Sequence, residues 1–499
     1  MNHSSLAALK LALLAVVALF ASPARAATRP PNIVLIVADD LGYSDLGCYG
    51  ARGIATPHLD RMAAGGIRFT NFIVAQAVCT ASRAALLSGC YPNRLGLSGA
   101  LNHTSTNGLS PDEDLLPKLL KRRGYATAAF GKWHLGHQPK FMPTRQGFDV
   151  FAGIPYSNDN GPLHPSVRGI PSLPWYENET VTELDPDQSK FTSRLTDRAV
   201  GFIRENRSRP FFLYLPHIMP HVPIAASSAF RGGSKSGLYG DTVQELDASI
   251  GTILATLREV GIERETLVLF LSDNGPFLSY GDHAGSARPF REGKLTALEG
   301  GVRVPFIAYW PGTVPKSRTS GQFITGLDLL PSLAKIAGTD NPRERIDGRD
   351  LSGVLLGKRG SKGRDTFLYY SGRELHAVRD GRWKLHLDHD FITVNGPPGT
   401  GGKPANWANM KPTAIEESGV RGIASRHGYR VEKLAQSLYD LEKDPGETMD
   451  ISASHRDVVG RLMKLAAEAR LDLGDTLTGA AGANLRINGP ATTPISKLR

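Results

Sequence analysis

The chain has 499 residues, of which 41% are hydrophobic and 21% are charged, so it is long enough to form more than one compact core. Its formal net charge is +10, a modest excess that is compatible with an anionic ligand. The basic residues are scattered and are not interleaved with aromatic residues, which argues against nucleic acid as a partner.

The first 26 residues have the pattern of a secretory signal peptide. Lys10 precedes an apolar run at 11–21, and Ala24-Arg25-Ala26 is typical of a cleavage site. The apolar run is too short to span a membrane, and no other stretch of the sequence is long enough. Cleavage after Ala26 would leave residues 27–499 as a secreted or periplasmic protein without a membrane span.

Residues 27–365 are predicted to form an α/β domain in which a mostly parallel central sheet is flanked by helices. Apolar runs typical of strands buried on both faces alternate with segments of helical periodicity. The predicted strands are 32–38, 125–130, 210–215, 266–271 and 302–310, and the predicted helices are 192–206, 239–260 and 327–336. Another helix is predicted from Ser110 to about Gly124, because Ser110, Pro111 and Glu113 have the pattern of a capping box.

Residues 366–499 are predicted to form a smaller C-terminal α+β domain that contains an antiparallel sheet. Short strands separated by turns are expected at 366–370, 375–379 and 383–387, followed by a helix at 455–472. Between them lies a long insertion at 395–429, rich in glycine and proline near its start, which is expected to be irregular. The tail from Gly474 onward is expected to be mobile.

Acidic and amide side chains follow two of the predicted buried strands. Asp39 and Asp40 come directly after the first strand, and Asp273 and Asn274 follow the strand at 266–271. In an open α/β sheet, ligands bind beyond the carboxyl ends of the strands. These four side chains supply only oxygen ligands, which suit Ca²⁺ or Mg²⁺ better than zinc. The simpler alternative for each pair is a solvated acidic turn.

Cys79 and Arg83 lie four positions apart in a run of small residues that favours a helix, so they share one helical face. A helix N-terminus at Cys79 would offer free backbone N–H groups to an anion. The segment resembles the signature of type I sulfatases, which belong to the alkaline-phosphatase-like superfamily. That signature is Cys-x-(Pro/Ala)-x-Arg followed by Leu-(Thr/Ser)-Gly, here residues 87–89, and Ala81 stands where most members have proline.

The resemblance continues in order along the chain. Further blocks that match the family are 131–136, 216–223, 293–301 and 438–447. Carried over residue by residue, the family's catalytic residues are Cys79, Arg83, Lys132, His134, His221 and Lys294. Its metal ligands, usually described around Ca²⁺, are Asp39, Asp40, Cys79, Asp273 and Asn274. In this family a formylglycine-generating maturation enzyme oxidises the cysteine to formylglycine, an aldehyde whose hydrate is the nucleophile.

The resemblance implies hydrolysis of a sulfate ester, either a sulfated glycan or an aryl sulfate. One hydroxyl of the hydrate would attack sulfur, and His221 or Lys294 would protonate the leaving alcohol. His134 would then take the proton of the second hydroxyl, so that sulfate leaves and the aldehyde returns. Two alternatives stay open: a phosphonate monoester or phosphodiester hydrolase of the same superfamily, and a secreted glycan-binding protein in which Cys79 is never oxidised.

The sequence also suggests residues around the substrate pocket. The insertion at 395–429 is expected either to help shape the pocket, with Trp407 and Arg421 as its contacts, or to be a surface excursion. Four polar residues before Lys294 are further candidates for the pocket lining, namely Asp282, His283, Arg288 and Arg291. His217 is expected to lie behind the site or to form a local hydrogen bond.

Two cysteines remain once Cys79 is assigned to the active site. Cys48 and Cys90 could pair as a disulfide, because an exported chain meets an oxidising environment. The alternative, which we favour, is two buried free thiols.

Overall fold

A mixed sheet of ten strands forms the centre of the fold in the computed structural model, which describes residues 29–417 and 419–487. The signal peptide predicted at 1–26 lies outside these residues. The described strands are, in chain order, β1 (Asn32–Ala38), β2 (Ile67–Phe69), β3 (Phe72–Ile73), β4 (Ala126–Lys132), β5 (Val150–Ile154), β6 (Pro174–Glu177), β7 (Thr180–Leu184), β8 (Phe211–Pro216), β9 (Thr266–Ser272), β10 (Phe306–Tyr309), β11 (Arg318–Ser320), β12 (Ile324–Thr325), β13 (Thr366–Ser371), β14 (Glu374–Asp380), β15 (Trp383–His386), β16 (His389–Val394), β17 (Tyr429–Leu434) and β18 (Ser437–Asp440).

Helices cover the sheet and connect its strands. The described α-helices are α1 (Pro57–Ala64), α2 (Cys79–Ser88), α3 (Leu116–Lys121), α4 (Phe191–Glu205), α5 (Gly237–Glu259), α6 (Glu299–Val302), α7 (Leu329–Ala337), α8 (Ser352–Leu355), α9 (Gly419–His427) and α10 (Arg456–Leu473). The helices predicted at 192–206, 239–260, 327–336 and 455–472 are confirmed within two residues as α4, α5, α7 and α10.

The order of the ten strands is β11-β2-β10-β9-β1-β8-β4-β5-β6-β7. Its central strands, β9-β1-β8-β4-β5, all run parallel, so their carboxyl ends meet at one edge of the sheet. Every residue of β1 is buried, and its alternate side chains enter two hydrophobic clusters on opposite faces of the sheet. This confirms the predicted α/β fold with a sheet covered on both faces.

The predicted antiparallel sheet is present in the C-terminal part of the chain. Its order is β13-β14-β15-β18, with antiparallel pairing throughout, and α10 packs against β14. The described residues from Pro31 onward group into one compact unit by their mutual contacts. The boundary predicted near residue 365 stays a prediction.

The capping box predicted at Ser110 is wrong, because α3 begins only at Leu116. The Ser110 hydroxyl accepts a hydrogen bond from the backbone N–H of Asp112 (3.2 Å), which closes a local turn. Glu113 does not reach back to Ser110, because its carboxylate pairs with the Arg486 guanidinium at 2.8 and 2.9 Å. The Glu113 carboxylate that a capping box requires is thus occupied by the ion pair with Arg486.

The insertion at 395–429 is not irregular throughout. It joins β16 to β17, which pair with each other, and it contains α9 directly before β17. The backbone N–H of Asn395 donates to the Gly428 carbonyl at 3.1 Å, which closes the base of the insertion. Its glycines and prolines therefore lead into a helix that is held against a two-stranded sheet.

Part of the C-terminal tail packs on the body of the protein. The buried Asp475 carboxylate accepts hydrogen bonds from Arg470 (2.9 Å) and from the Leu375 backbone (3.1 Å). Arg486 adds the ion pair with Glu113. Residues 488–499 lie outside the described part, and mobility there stays a prediction.

A buried cluster of charges connects the antiparallel sheet to α6. The Lys384 ammonium, which is fully buried, lies 3.1 Å from the Glu299 carboxylate and 2.7 Å from that of Glu447. His386 Nε2 also lies 2.7 Å from Glu447, and the second Glu447 oxygen accepts the Glu299 backbone N–H at 2.7 Å. Burial alone would raise the pKa of Glu447, but Lys384 and His386 outweigh burial and lower it from 4.5 to about 2.

We expect Glu447→Gln to lower the free energy of unfolding by roughly 3 kcal/mol at pH 7, because it leaves the Lys384 charge buried without its closest partner. The pKa of Glu447 is lower in the folded chain, so its contribution is complete above pH 4.5 and disappears as the pH falls towards 2. Urea unfolding across this pH range tests both points. Glu442→Gln is the matched control, since the Glu442 side chain is 71% exposed. Equal stability of the two variants would contradict the prediction.

Candidate active site

The carboxyl edge of the parallel strands gathers the residues that the sequence singled out. Asp39 and Asp40 follow β1, Asp273 and Asn274 follow β9, and Lys132 is the last residue of β4. The N-terminus of α2 brings Cys79 to the same place. These side chains are nearly or fully buried, together with Arg83, His134, His221 and Lys294. The structure therefore brings together all of the predicted site residues.

Hydrogen bonds join the acidic turn at 39–40 to the one at 273–274. Asp40 has a positive φ of 64°, and its backbone N–H lies 3.2 Å from Asp273 Oδ1. The Asp273 N–H in turn donates to the Ala38 carbonyl at 3.0 Å. The Asn274 amide donates to Asp40 Oδ1 at 2.7 Å. These bonds fix the two strand ends relative to each other.

Three buried cations neutralise three buried carboxylates in this site. Arg83 contacts Asp273 Oδ2 through Nε (2.9 Å) and Nη2 (2.8 Å). The Lys132 ammonium lies 2.6 Å from Asp39 Oδ2, and the Lys294 ammonium lies 2.7 Å from Asp40 Oδ1. Burial opposes the charged form of Asp39, but Lys132 and its neighbours hold the pKa of that carboxyl well below its usual value.

Cys79 lies between a cation and a carboxylate. Its Sγ is 3.3 Å from Lys294 Nζ and 3.6 Å from Asp39 Oδ1. Val78, the N-cap residue of α2, makes no side-chain capping bond. Burial raises the pKa of the Cys79 thiol to about 12, against the opposing effect of Lys132 and Lys294. An unmodified thiol would therefore stay protonated at neutral pH, which disfavours a thiolate nucleophile.

Two histidines border the site with fixed ring orientations. His134 Nε2 lies 2.6 Å from the Leu101 carbonyl, and its Nδ1 has no hydrogen-bond partner among the described residues. His221 Nδ1 lies 2.5 Å from the Val222 carbonyl, and its Nε2 faces Asp40 and Ser157. A carbonyl can only accept, so the neutral His134 ring carries its proton on Nε2 and the neutral His221 ring carries it on Nδ1. Burial lowers the pKa of both imidazoles.

The donor set fits a divalent cation. Ligand atoms of Asp39, Asp40, Cys79 and His221 all lie within 4.8 Å of one another. The buried Asn274 Oδ1 has no hydrogen-bond partner in the described part of the chain, as expected for an amide oxygen reserved for a metal. Asp273 presents one carboxylate oxygen to Arg83 and the other to the Asp40 backbone. Carboxylate and amide oxygens of this kind suit Ca²⁺ or Mg²⁺.

Ser157 is a site residue that the sequence reasoning missed. Its hydroxyl lies 3.4 Å from Lys132 Nζ and 3.3 Å from His221 Nε2. Residues 157–160 are all polar and follow β5, another parallel strand of the sheet. The rule that singled out Asp39 and Asp273, polar residues just beyond the carboxyl end of a buried strand, would also have found Ser157.

A cavity of about 480 Å³ opens from Cys79 and Lys294 towards the surface. The insertion supplies one of its walls through Val420, Ile423 and His427 of α9. The His427 imidazole lies 2.7 Å from the Tyr280 hydroxyl, and its ring centroid lies 4.8 Å from that of Phe277. Part of the insertion therefore lines this cavity, and its role in a substrate pocket stays a prediction.

The residues predicted to make those contacts are wrong. Trp407 and Arg421 do not line the cavity among the described residues. Trp407 instead packs against the Lys403 ammonium at 5.7 Å, and Arg421 is exposed on α9. The candidates before Lys294 are also absent from the described lining, namely Asp282, His283, Arg288 and Arg291. These side chains engage elsewhere: Asp282, for example, accepts the Gly401 N–H at 2.9 Å.

The remaining expectations concern residues away from the cavity. His217 is buried, with Nε2 3.4 Å from the Ser249 hydroxyl, in agreement with a local role. Cys48 and Cys90 are both free in the structure. Cys90 is buried as expected, whereas Cys48 is half-buried.

The comparisons with known proteins agree with this geometry. Residues 31–339 match the sulfatase family, and residues 362–485 match the family described as the C-terminal region of aryl-sulfatase. The α/β fold of this chain is thus the sulfatase fold. Cys79 and the acidic strand ends lie at the carboxyl edge of its sheet. The chain belongs to the sulfatase family and is a sulfuric ester hydrolase.

Its relatives are named for sulfate ester hydrolysis. Arylsulfatase A of Bos taurus is 38% identical over 473 residues, which cover 89% of this chain and 88% of the relative. N-acetylgalactosamine-6-sulfatase of Sus scrofa is 36% identical over 459 residues, with 88% and 85% covered. Among solved structures, Ps i-CgsB in complex with k-i-k-neocarrahexaose has a TM-score of 0.70 at 26% identity, with 88% of this chain and 92% of that chain covered. The names of the two sequence relatives support sulfate esters over the alternative of phosphonate monoesters.

None of the helices formed by the described residues combines the length and apolar character that crossing a membrane requires.

Proposed function

We propose that the chain hydrolyses sulfate esters through a formylglycine made from Cys79, with a divalent cation, Ca²⁺ or Mg²⁺, beside it. The observation that carries this proposal is the placement of Cys79 between Lys294 and Asp39 at the N-terminus of α2. The raised pKa of the thiol, about 12, disfavours direct attack by a Cys79 thiolate. The hydrate of an aldehyde at this position carries two hydroxyls, one for attack and one for release of sulfate.

Asp39, Asp40, Asp273, Asn274 and the modified residue 79 would hold the cation. A bound divalent cation supplies positive charge that stabilises negative oxygens and favours deprotonation of a coordinated hydroxyl. The closeness of Asp39, Asp40 and Cys79 supports this set of ligands, as does Asn274 Oδ1, which has no hydrogen-bond partner among the described residues. His221, which the metal-ligand cluster includes by distance, is instead assigned to proton transfer because its ring is also oriented by Val222 and Ser157.

The basic side chains would bind the sulfate group. Lys132 and Lys294 reach the carboxylates beside Cys79, and Arg83 anchors Asp273 and the Lys132 carbonyl (2.8 Å). Fixed positive charge in a buried site stabilises the charge that develops in the transition state, and it needs no reorganisation during the reaction. We assign sulfate binding to Lys132 and Lys294, and positioning of the acidic strand end to Arg83.

The histidines and Lys294 would move protons. His134 would accept the proton of the second hydroxyl, and its Nδ1, which has no partner among the described residues, supports this role. Lys294 and His221 both contact Asp40 and both line the cavity, so they are the two donors for the leaving alcohol. Of the two, Lys294 carries a proton towards Cys79, whereas the neutral His221 ring points its N–H at Val222.

Mass spectrometry combined with a sulfatase assay tests the proposal. The full chain, co-expressed with a formylglycine-generating enzyme, is digested, and the peptide around residue 79 is examined for an aldehyde and labelled with a hydrazide. We expect the aldehyde, together with release of sulfate from an aryl sulfate. An unmodified Cys79 with undiminished sulfatase activity would contradict the formylglycine mechanism. A confirmed aldehyde without hydrolysis of any sulfate ester would contradict the proposed reaction.

We propose that the protein acts outside the cytoplasm, as a secreted or periplasmic enzyme. The pattern of residues 1–26 supports this location. Its substrate is a sulfated small molecule or glycan, as the saccharide complex of the structural relative suggests. N-terminal sequencing of the exported protein tests the location, with Ala27 expected as the first residue.

The wall formed by α9 should affect large substrates more than small ones. We expect His427→Ala to lower kcat/KM for a sulfated oligosaccharide by roughly tenfold, because it removes a buried ring from the cavity wall and leaves the Tyr280 hydroxyl without its partner. The loss for a small aryl sulfate should be clearly smaller. Trp407→Ala is the matched control in the same insertion, since Trp407 does not line the cavity. An equal loss on both substrates would mean that α9 has no role in recognition.

A further inference from the structure

The charge around the cavity differs in sign from the charge of the whole chain. Of the described residues that line it, five beyond the catalytic set carry carboxylates, namely Asp159, Glu374, Asp390, Glu416 and Glu417. The arginines of the lining are Arg373 and Arg426. The chain has a formal charge of +10, so this acidic mouth is a local property that the composition does not suggest.

One basic side chain of the lining, Arg426, interacts electrostatically with Asp159, Glu416 and Glu417, but in the described part of the chain it makes no ion pair with them. Within the described residues, no lysine or arginine forms an ion pair with any of the five carboxylates. Among the described residues, the ion-pair partners of Asp159 and Glu374 are histidines, His164 at 4.0 Å and His376 at 3.0 Å, and the Asn160 amide also donates to Asp159 at 3.3 Å. Burial lowers the pKa of both imidazoles, so they add little positive charge at neutral pH. Arg426 is itself buried, and its Nη1 donates to the carbonyls of Ala414 (2.8 Å) and Glu417 (2.7 Å).

The mouth also contains a side-chain hydrogen-bond acceptor that has no donor among the described residues. Gln76 is 1% exposed and lines the cavity, and its Oε1 has no hydrogen-bond partner among the described residues. Its orientation is fixed, because Nε2 donates to Asn93 Oδ1 (2.7 Å) and to the Gly372 carbonyl (3.1 Å). An amide oxygen and carboxylates can only accept hydrogen bonds. They therefore suit hydroxyl, amide N–H and amino groups, whereas a sulfate group offers no donor.

We infer that the site selects sulfate esters whose alcohol carries a single sulfate and otherwise presents hydroxyl, amide N–H or amino groups, and that it discriminates against polysulfated substrates. This inference rests on the proposed function. The catalytic cations hold the sulfate that is cleaved, and the acidic mouth repels a second one. Repulsion of this kind gives specificity by raising the energy of the wrong complex, rather than by adding contacts to the right one.

A matched pair of aryl sulfates tests the inference without knowledge of the natural substrate. Nitrocatechol monosulfate places a hydroxyl beside the sulfate that is cleaved, and nitrocatechol disulfate places a second sulfate there. For the full chain with a confirmed aldehyde at residue 79, we expect kcat/KM for release of the first sulfate to be about tenfold higher for the monosulfate at low salt. The ratio should shrink as salt is added, because added ions screen exposed charges.

Asp390→Asn identifies the cause of the discrimination. It removes one charge of the mouth, so the monosulfate-to-disulfate ratio should fall by about threefold. Asp388→Asn is the control, because Asp388 is exposed two positions away and does not line the cavity. A monosulfate-to-disulfate ratio near one for the unsubstituted enzyme would overturn the inference. An equal change of this ratio in Asp390→Asn and Asp388→Asn would also overturn it. Neither result would contradict sulfatase activity. Absence of hydrolysis of either substrate would instead overturn the proposed function.

Discussion

Replacing Cys79 with alanine should abolish sulfate ester hydrolysis and leave the fold intact. The substitution removes the atom from which the nucleophile is made, and loss of a nucleophile typically lowers kcat by roughly 10⁴-fold or more. Alanine fits at the N-terminus of α2, where Cys79 is followed by small residues and makes no capping bond of its own. Among the described residues, the removed Sγ lies within hydrogen-bond distance of Lys294 and Asp39 alone, so the rest of the site keeps its ion pairs.

Cys79→Ser separates a missing nucleophile from a missing modification. Serine keeps a hydroxyl near Lys294, but it lacks the second hydroxyl that releases sulfate after the first step. We expect a serine variant that is not converted to aldehyde to show at most a single turnover. Initial rates with an aryl sulfate, thermal unfolding and peptide mass spectrometry should be compared for the three proteins. Sustained turnover by Cys79→Ala at the level of the unsubstituted chain would rule out any covalent role for residue 79.

Much of the site could be predicted because its residues follow buried strands. The apolar run of β1 ends at Asp39, and that of β9 ends at Asp273, so parallel pairing of these strands brings the acidic residues together. Lys132, which the family resemblance supplied, also lies at the carboxyl end of a parallel strand, β4. Local patterns were sufficient here because parallel pairing brings the carboxyl ends of separate strands together, wherever those strands lie in the sequence.

The predictions failed where side chains far apart in sequence compete for a partner. The local sequence predicts that Glu113 caps a helix, but in the structure Glu113 pairs with Arg486, which is 373 positions away. The insertion reads as irregular because its glycines and prolines dominate its first part, while α9 depends on contacts with β17 and Tyr280. Trp407 and Arg421 have the chemistry of substrate contacts, but Trp407 packs against Lys403, Arg421 is exposed, and neither lines the cavity. Local sequence patterns do not contain the long-range contacts that decide these outcomes.

Removing the Asp39 carboxylate should have the second largest effect. Asp39 accepts contacts from Lys132 (2.6 Å) and Arg83 (3.4 Å) and lies beside Cys79, so it serves both the cation pair and the proposed metal. Asp39→Asn keeps the shape of the side chain and removes its charge, which leaves buried cations under-neutralised. We expect kcat/KM to fall by roughly 10³-fold, with loss of bound metal.

Metal content distinguishes a lost ligand from a lost fold. We expect about one oxygen-liganded divalent cation per chain in the purified enzyme and much less in Asp39→Asn, measured by elemental analysis at equal helical content. Exhaustive chelation of the unsubstituted enzyme should abolish activity, and addition of Ca²⁺ or Mg²⁺ should restore it, which identifies the ion that the site prefers. Asp388→Asn again provides the control, since its exposed carboxylate lies outside the site. Full activity after chelation, with the metal confirmed absent, would show that Asp39 acts only through Lys132 and Arg83, and that these buried ion pairs suffice for catalysis without a cation.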